Sequence, residues 1–100
     1  MNTDLDAVFR ALADPTRRQL LEKLRERQGL TLGEMADGVG MSRFGVMKHL
    51  AALESAGLVR TERAGRLKLH YLERPVLQAL QVQWLQRFMD SGPQQEAAEG

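Results

Sequence analysis

TLGEMADGVGMSRFGVMKHLAALESAG, residues 31–57, is the stretch whose reading decides the fold. Thr31 and Glu34 stand in the S/T-x-x-E spacing of a capping box, in which each side chain satisfies an orphan amide of the other's neighbourhood and so starts a helix. Leu32, Met35, Ala36 and Val39 then fall on one inward face, and Gly38 and Gly40 flank the end of this short element. Ser42 is placed to cap a second helix, over about residues 43–56, whose apolar positions Val46, Leu50 and Leu53 recur at helical spacing. Gly57 ends it, with Leu58 placed to fold back on its last turn. Because the core takes Val46, Leu50 and Leu53, this helix turns Arg43, Phe44, Met47, Lys48 and Ala51 outward.

Downstream of Leu58 the period changes from 3.6 to 2. Leu67, Leu69 and Tyr71 alternate with Arg66, Lys68 and His70, which predicts a strand with one apolar, inward face and one basic face. Val59 to Arg63 supplies a pairing partner and Gly65 a permissive turn, so about residues 59–72 read as a β-hairpin. Pro75 to Asp90 follows as a long helix with Leu77, Leu80, Trp84, Leu85 and Phe88 on one stripe. Upstream, Leu5, Val8, Phe9 and Leu12 mark a first helix over roughly residues 4–12. Asp14-Pro15 opens another, which buries Leu20, Leu21 and Leu24, runs to about Gln28 and stops at Gly29. The expected fold is mainly α with a β-hairpin: five helices and a two-stranded wing in one domain, residues 1–90. Residues 91–100, SGPQQEAAEG, are polar and small and are expected to be a disordered tail.

Composition narrows the function. With 43% hydrophobic residues and no cysteine, the chain is an ordinary globular protein without disulfides or thiolate metal sites. The N-terminus begins acidic, with Asp4 and Asp6, and no apolar run reaches the roughly 18 residues of a membrane span, so a cytoplasmic, nucleoid-associated location away from membranes is expected. The net charge of +1 conceals an asymmetry. Residues 41–74 carry Arg43, Lys48, Arg60, Arg63, Arg66, Lys68 and Arg74 against Glu54, Glu62 and Glu73 alone, and both flanking segments are net acidic. An anionic partner would dock on that middle third.

Two short helices joined by a glycine-containing turn and followed by a basic hairpin form the pattern in which the second helix enters the DNA major groove. Ser42, Arg43, Phe44, Met47, Lys48 and His49 are the candidate contacts on that helix. Arg43 and Lys48 suit guanine edges or phosphates, Arg43 from the first turn being the candidate guanine reader. Phe44 and Met47 suit thymine methyl groups or packing against the preceding helix. On the wing, Arg63, Arg66 and Lys68 suit phosphates or the adjacent minor groove. The apolar stripe of the last helix is wide for one thin domain to cover, so Leu5, Phe9, Leu77, Leu80, Trp84, Leu85 and Phe88 are candidate dimer contacts.

The chain resembles the ArsR-type winged helix-turn-helix repressors over residues 8 to about 90. The resemblance is carried by Val8 to Arg18 with Leu20-Leu21, by Met41-Ser42 through Lys48-His49-Leu50 with Leu53-Glu54, by Ala56-Gly57-Leu58-Val59, and by Gly65-Arg66 leading to Tyr71. It implies a homodimer built from the first and last helices, and a double-stranded operator of palindromic form contacted through residues 42–51 and the wing. It also implies repression relieved by a signal, and a structural or DNA-proximal role for His49. The chain departs from the metal-sensing members: residues 32–38 hold no cysteine and the last helix no histidine. Zinc needs three or four converging ligands, and only His49 and His70 are present, so neither a metal site nor any other cofactor is expected. A ligand- or metal-responsive member of the same family, with an inducer of unknown identity, is one alternative. A winged helix used for protein–protein contact is another. An enzyme is not expected: the one Ser–His pair, Ser42 and His49, lies on a single helix with Ser42 already used as a cap.

Overall fold

The computed structural model describes residues 3–90, so the tail expected over 91–100 lies outside the described residues. Each early helix begins where a short polar side chain takes up free amides. Asp4 accepts from the Ala7 amide at 3.1 Å and opens α1, Leu5–Leu12. Asp14 accepts from the amides of Thr16 at 2.8 Å and Arg17 at 3.1 Å, with Pro15 at the first helical position, and opens α2, Pro15–Glu26. The capping box forms in both directions: the Glu34 amide donates to Thr31 Oγ1 at 3.2 Å and the Thr31 amide to Glu34 Oε1 at 2.9 Å, starting α3, Leu32–Ala36. Ser42 Oγ accepts from the Gly45 amide at 3.0 Å and starts α4, Arg43–Ser55.

The end of α4 is a Schellman motif. The Leu58 amide donates to the Leu53 carbonyl at 2.9 Å and the Gly57 amide to the Glu54 carbonyl at 3.0 Å, with Gly57 at φ +80°. Leu53 and Leu58, the pair such a motif brings together, are both fully buried. A Cβ on Gly57 would sit 2.8 Å from Val76 Cγ2, so this glycine also lets the last helix pass directly over the turn.

The core is built from all of these elements: Val8, Ala11, Leu20, Leu24, Leu30, Met35, Val46, Leu50, Leu53, Leu58, Val59 and Leu80 are buried together. The hairpin β1, Val59–Ala64, and β2, Leu67–Leu72, is antiparallel in the register Val59↔Leu72 to Ala64↔Leu67. Its faces are the reverse of those expected from alternation. His70 is buried at 5% exposure, on the side of Val59 and Leu72, while Leu67 at the tip is exposed and Tyr71 lies on the other face under Arg60, whose guanidinium carbon is 4.5 Å from the ring centroid. The cause is a third segment. Gly29 and Leu30 pair with His70 through three backbone hydrogen bonds of 2.8–3.3 Å, closing the wing's root onto the helices. The His70 ring adds a fourth bond, Nδ1 to the Leu30 carbonyl at 2.8 Å.

The last helix comprises α5, Arg74–Leu80, a π-helical stretch, Gln81–Leu85, and α6, Gln86–Met89. The π-helical interruption is a departure from the regular helix expected. None of the described helices is long and apolar enough to cross a membrane.

Candidate DNA interface

α3, its glycine turn and α4 make a helix-turn-helix, and β1–β2 stands beside α4 as the wing. On α4 the core takes Val46, Leu50 and Leu53 as the spacing required, and Arg43, Phe44, Met47, Lys48 and Ala51 are exposed. Phe44 is 63% and Met47 46% exposed, so neither is consumed by packing against α3. Ser42, also exposed, has its hydroxyl oxygen engaged as the α4 cap. Lys48 Nζ lies 5.4 Å from the centroid of the Phe44 ring, a cation held over an apolar plate on one helix face.

Arg43 is drawn toward the wing. A Cβ on Gly33 would sit 3.0 Å from Arg43 Nη2, so the bare glycine of α3 makes room for the guanidinium. Arg43, Arg66 and Lys68 together line a groove of about 380 Å³ with Thr31, Leu32, Gly33 and Leu67, and no carboxylate among the described residues lines it. Arg63 pairs across the hairpin with Lys68 but does not line this groove. Among the described residues, none of Arg43, Lys48, Arg63, Arg66 and Lys68 forms an ion pair, whereas Arg25, Arg27 and Arg60 elsewhere are matched to Glu22, to Glu34 and to Glu62 and Glu73. A concave groove walled by unneutralised cations concentrates positive potential, which is what a polyanion backbone requires.

His49 sits apart from this surface. Its half-buried ring faces α2, where Arg17 Nη1 donates to its Nδ1 at 3.1 Å. A guanidinium can only donate, so Nδ1 is the accepting nitrogen of a neutral ring. The same guanidinium donates to the carbonyls of Ala11 at 2.7 Å and Arg10 at 3.2 Å, and Arg18 donates to that of Leu12 at 2.7 Å, so α2 caps the C-terminal carbonyls of α1. Amide donation from Arg17 and Thr16, aided by the charge of Arg17, outweighs desolvation and holds the Asp14 carboxyl below its ordinary range.

The candidate dimer residues divide. Leu80, at 7% exposure, belongs to the chain's own core and is not available to a partner. Leu5, Phe9, Leu77 and Trp84 are partly buried against that core, the Trp84 ring standing edge-on to Phe9 at 5.0 Å between centroids and against Phe88 at 4.7 Å. Leu85 and Phe88 remain exposed, together with Val82 and Met89, which sequence reasoning missed although their spacing of three and four residues from Leu85 was visible. No group of three or more His, Cys, Asp or Glu side chains among the described residues is placed to hold a metal.

The geometry is that of a winged helix-turn-helix module with a cationic wing. Residues 12–62 match the model of the family described as a helix-turn-helix domain. The chain is 31% identical to the transcriptional repressor SdpR of Bacillus subtilis over 88 residues, covering 88% of this chain and 96% of that protein. The crystal structure of the ArsR family transcriptional regulator RHA00566 superposes with a TM-score of 0.75 at 33% identity, covering 85% of this chain and 87% of that one. The homodimeric winged helix-turn-helix DNA-binding domain Mb0332 of Mycobacterium bovis superposes with a TM-score of 0.68 at 26% identity, over 86% and 78% of the two chains. The chain belongs to the ArsR-type family of winged helix-turn-helix transcriptional regulators, and its biochemical class is DNA binding.

Proposed function

We propose that the chain is a homodimeric repressor that binds a palindromic operator with α4 in the major groove and the wing on the flanking backbone. The observation that carries this reading is the convergence of Arg43, Arg66 and Lys68, from two separate elements, on one acid-free groove beside the exposed face of α4. In this arrangement Arg43 joins Arg66 and Lys68 on phosphates, while Phe44, Met47 and Lys48 face base edges. That assignment revises the expectation of Arg43 as a guanine reader. Arg63 adds charge further out on the wing. His49 acts through Arg17, fixing the seating of α4 on α2.

The dimer follows from Val82, Leu85, Phe88 and Met89. Covering such side chains contributes roughly 1.5–3 kcal/mol each when burial is complete. The homodimeric state of the Mb0332 domain and the repressor activity of SdpR support the same reading. Selection of bound sequences from random duplexes tests it. The expected result is an inverted repeat whose half-sites lie about one helical turn, or a multiple, apart. Recovery of unenriched sequence contradicts it.

A further inference from the structure

Among the described residues, His70 is the buried polar side chain in a core that is otherwise apolar, and its hydrogen bonding is one-sided. Nδ1 faces the Leu30 carbonyl at 2.8 Å, and a carbonyl only accepts, so Nδ1 carries a proton; burial without a carboxylate partner favours the uncharged ring, in which that is the sole ring proton. Nε2 is left as a lone-pair acceptor with no partner among the described residues. A buried acceptor without a donor is a liability unless something supplies one.

His70 is also a wall of a hollow of about 160 Å³ between α4 and the wing. Leu32, Met47, Leu50 and Ala51 make its apolar sides, and the charged side chains Glu54 and Lys68 border it. A cavity of about 150 Å³ with apolar walls accommodates a benzene-sized molecule. The Met47 thioether favours an aromatic ring over an aliphatic one of the same size.

We infer that this hollow between the reading helix and the wing is a binding site for a single-ring aromatic alcohol, a phenol-like molecule whose hydroxyl donates to His70 Nε2. The occupant touches Met47 and Lys68, which the proposed DNA reading places on the duplex, so occupancy and DNA binding compete. This coupling, unlike the site itself, rests on that reading.

The site is tested on the free full-length protein, labelled with ¹⁵N and ¹³C, by titrating phenol and, separately, toluene. The expected result is an Nε2 resonance in the range of an unprotonated ring nitrogen that moves saturably with phenol. The accompanying shifts are confined to the residues that wall and border the hollow. Toluene moves the Met47 methyl signal and leaves Nε2 in place. Ala51→Met, which fills the hollow from an exposed position and so spares the core, abolishes both responses. A protonated Nε2, shifts scattered over the surface, or a phenol response that survives Ala51→Met overturns the site. Phenol is then added to a preformed duplex complex of the parent. Release over the concentration range of the NMR titration is expected, and a saturable site without release overturns the coupling. Failure of the parent to bind any duplex contradicts the DNA reading and leaves the NMR result standing.

Discussion

Arg17 and His49 meet across the joint between α2 and α4, the guanidinium donating to the imidazole Nδ1 at 3.1 Å while its other nitrogens hold the last carbonyls of α1. One side chain therefore ties α1 to the helix proposed for DNA contact. Removing it strands the Ala11 carbonyl and a ring nitrogen in partly buried positions, and unsatisfied groups of that kind cost about 1–3 kcal/mol.

Arg17→Ala should accordingly lower the free energy of unfolding by about 1–3 kcal/mol, read from urea denaturation of the variant and the parent. A difference of under about 0.5 kcal/mol, the range of ordinary surface substitutions, would show that the joint carries no strain-bearing contact.

Asp14 sets an acid limit on the same joint. Its carboxyl is held below its ordinary value of 3.8, chiefly by the Arg17 amide. A carboxylate with a depressed folded-state pKa stabilises the fold above the unfolded value, and that contribution disappears as the pH falls through the folded value. Asp14→Asn keeps a capping oxygen without the titration. Urea midpoints measured from pH 6 downward should fall less steeply for the variant, the two curves converging in strong acid. Parallel curves over the whole range would contradict this.

Gly57 and Gly38 share the same backbone region but not the same surroundings. Both have positive φ, yet a Cβ on Gly38 meets nothing within 4 Å while one on Gly57 meets Val76 at 2.8 Å. Gly38→Ala should cost about 1–2 kcal/mol, the left-handed penalty alone. Gly57→Ala should cost distinctly more, because the last helix must also shift. Equal thermal-melting shifts for the two variants would be the wrong outcome.

Phe88 is 63% exposed in the single chain and lies on the proposed dimer face. Phe88→Asp should convert a micromolar dimer to a monomer in sedimentation equilibrium while helical circular dichroism is retained. A parent that sediments as a monomer, or a variant that remains dimeric, contradicts the proposed interface.

Much of this architecture was legible because it is local. The caps at Asp14, Thr31 and Ser42, the stop at Gly57 and the inward triad Val46, Leu50 and Leu53 follow from neighbours within one or two turns, and each stands where its spacing required. What was not legible depends on partners distant in sequence. Alternation in β2 separates two faces but does not state which one meets the core. The Leu30–His70 bridge decides that, forty residues apart, and it turns the apolar residues of β2 outward at the tip. Arg17–His49, at thirty-two residues, is hidden for the same reason. The draw of Arg43 toward the wing depends on the absence of a side chain at Gly33, and the π-helical stretch after Leu80 has no period of its own to announce it.

In the proposed complex, Arg43, Arg66 and Lys68 form one phosphate-binding groove beside a base-reading helix face. Salt dependence tests it most directly. Binding of the selected operator and of a scrambled duplex is measured at several salt concentrations for the parent, for each of Arg43→Ala, Arg66→Ala and Lys68→Ala, and for Met47→Ser. Each of the three cation variants should weaken both duplexes in parallel and reduce the slope of log affinity against log salt by about 0.9. Met47→Ser should leave the slope unchanged and narrow the ratio between operator and scrambled DNA. The contradicting result is an unchanged slope in the cation variants, or a loss of operator preference on removing Arg66 that Met47→Ser does not produce; the wing would then be the element that reads sequence.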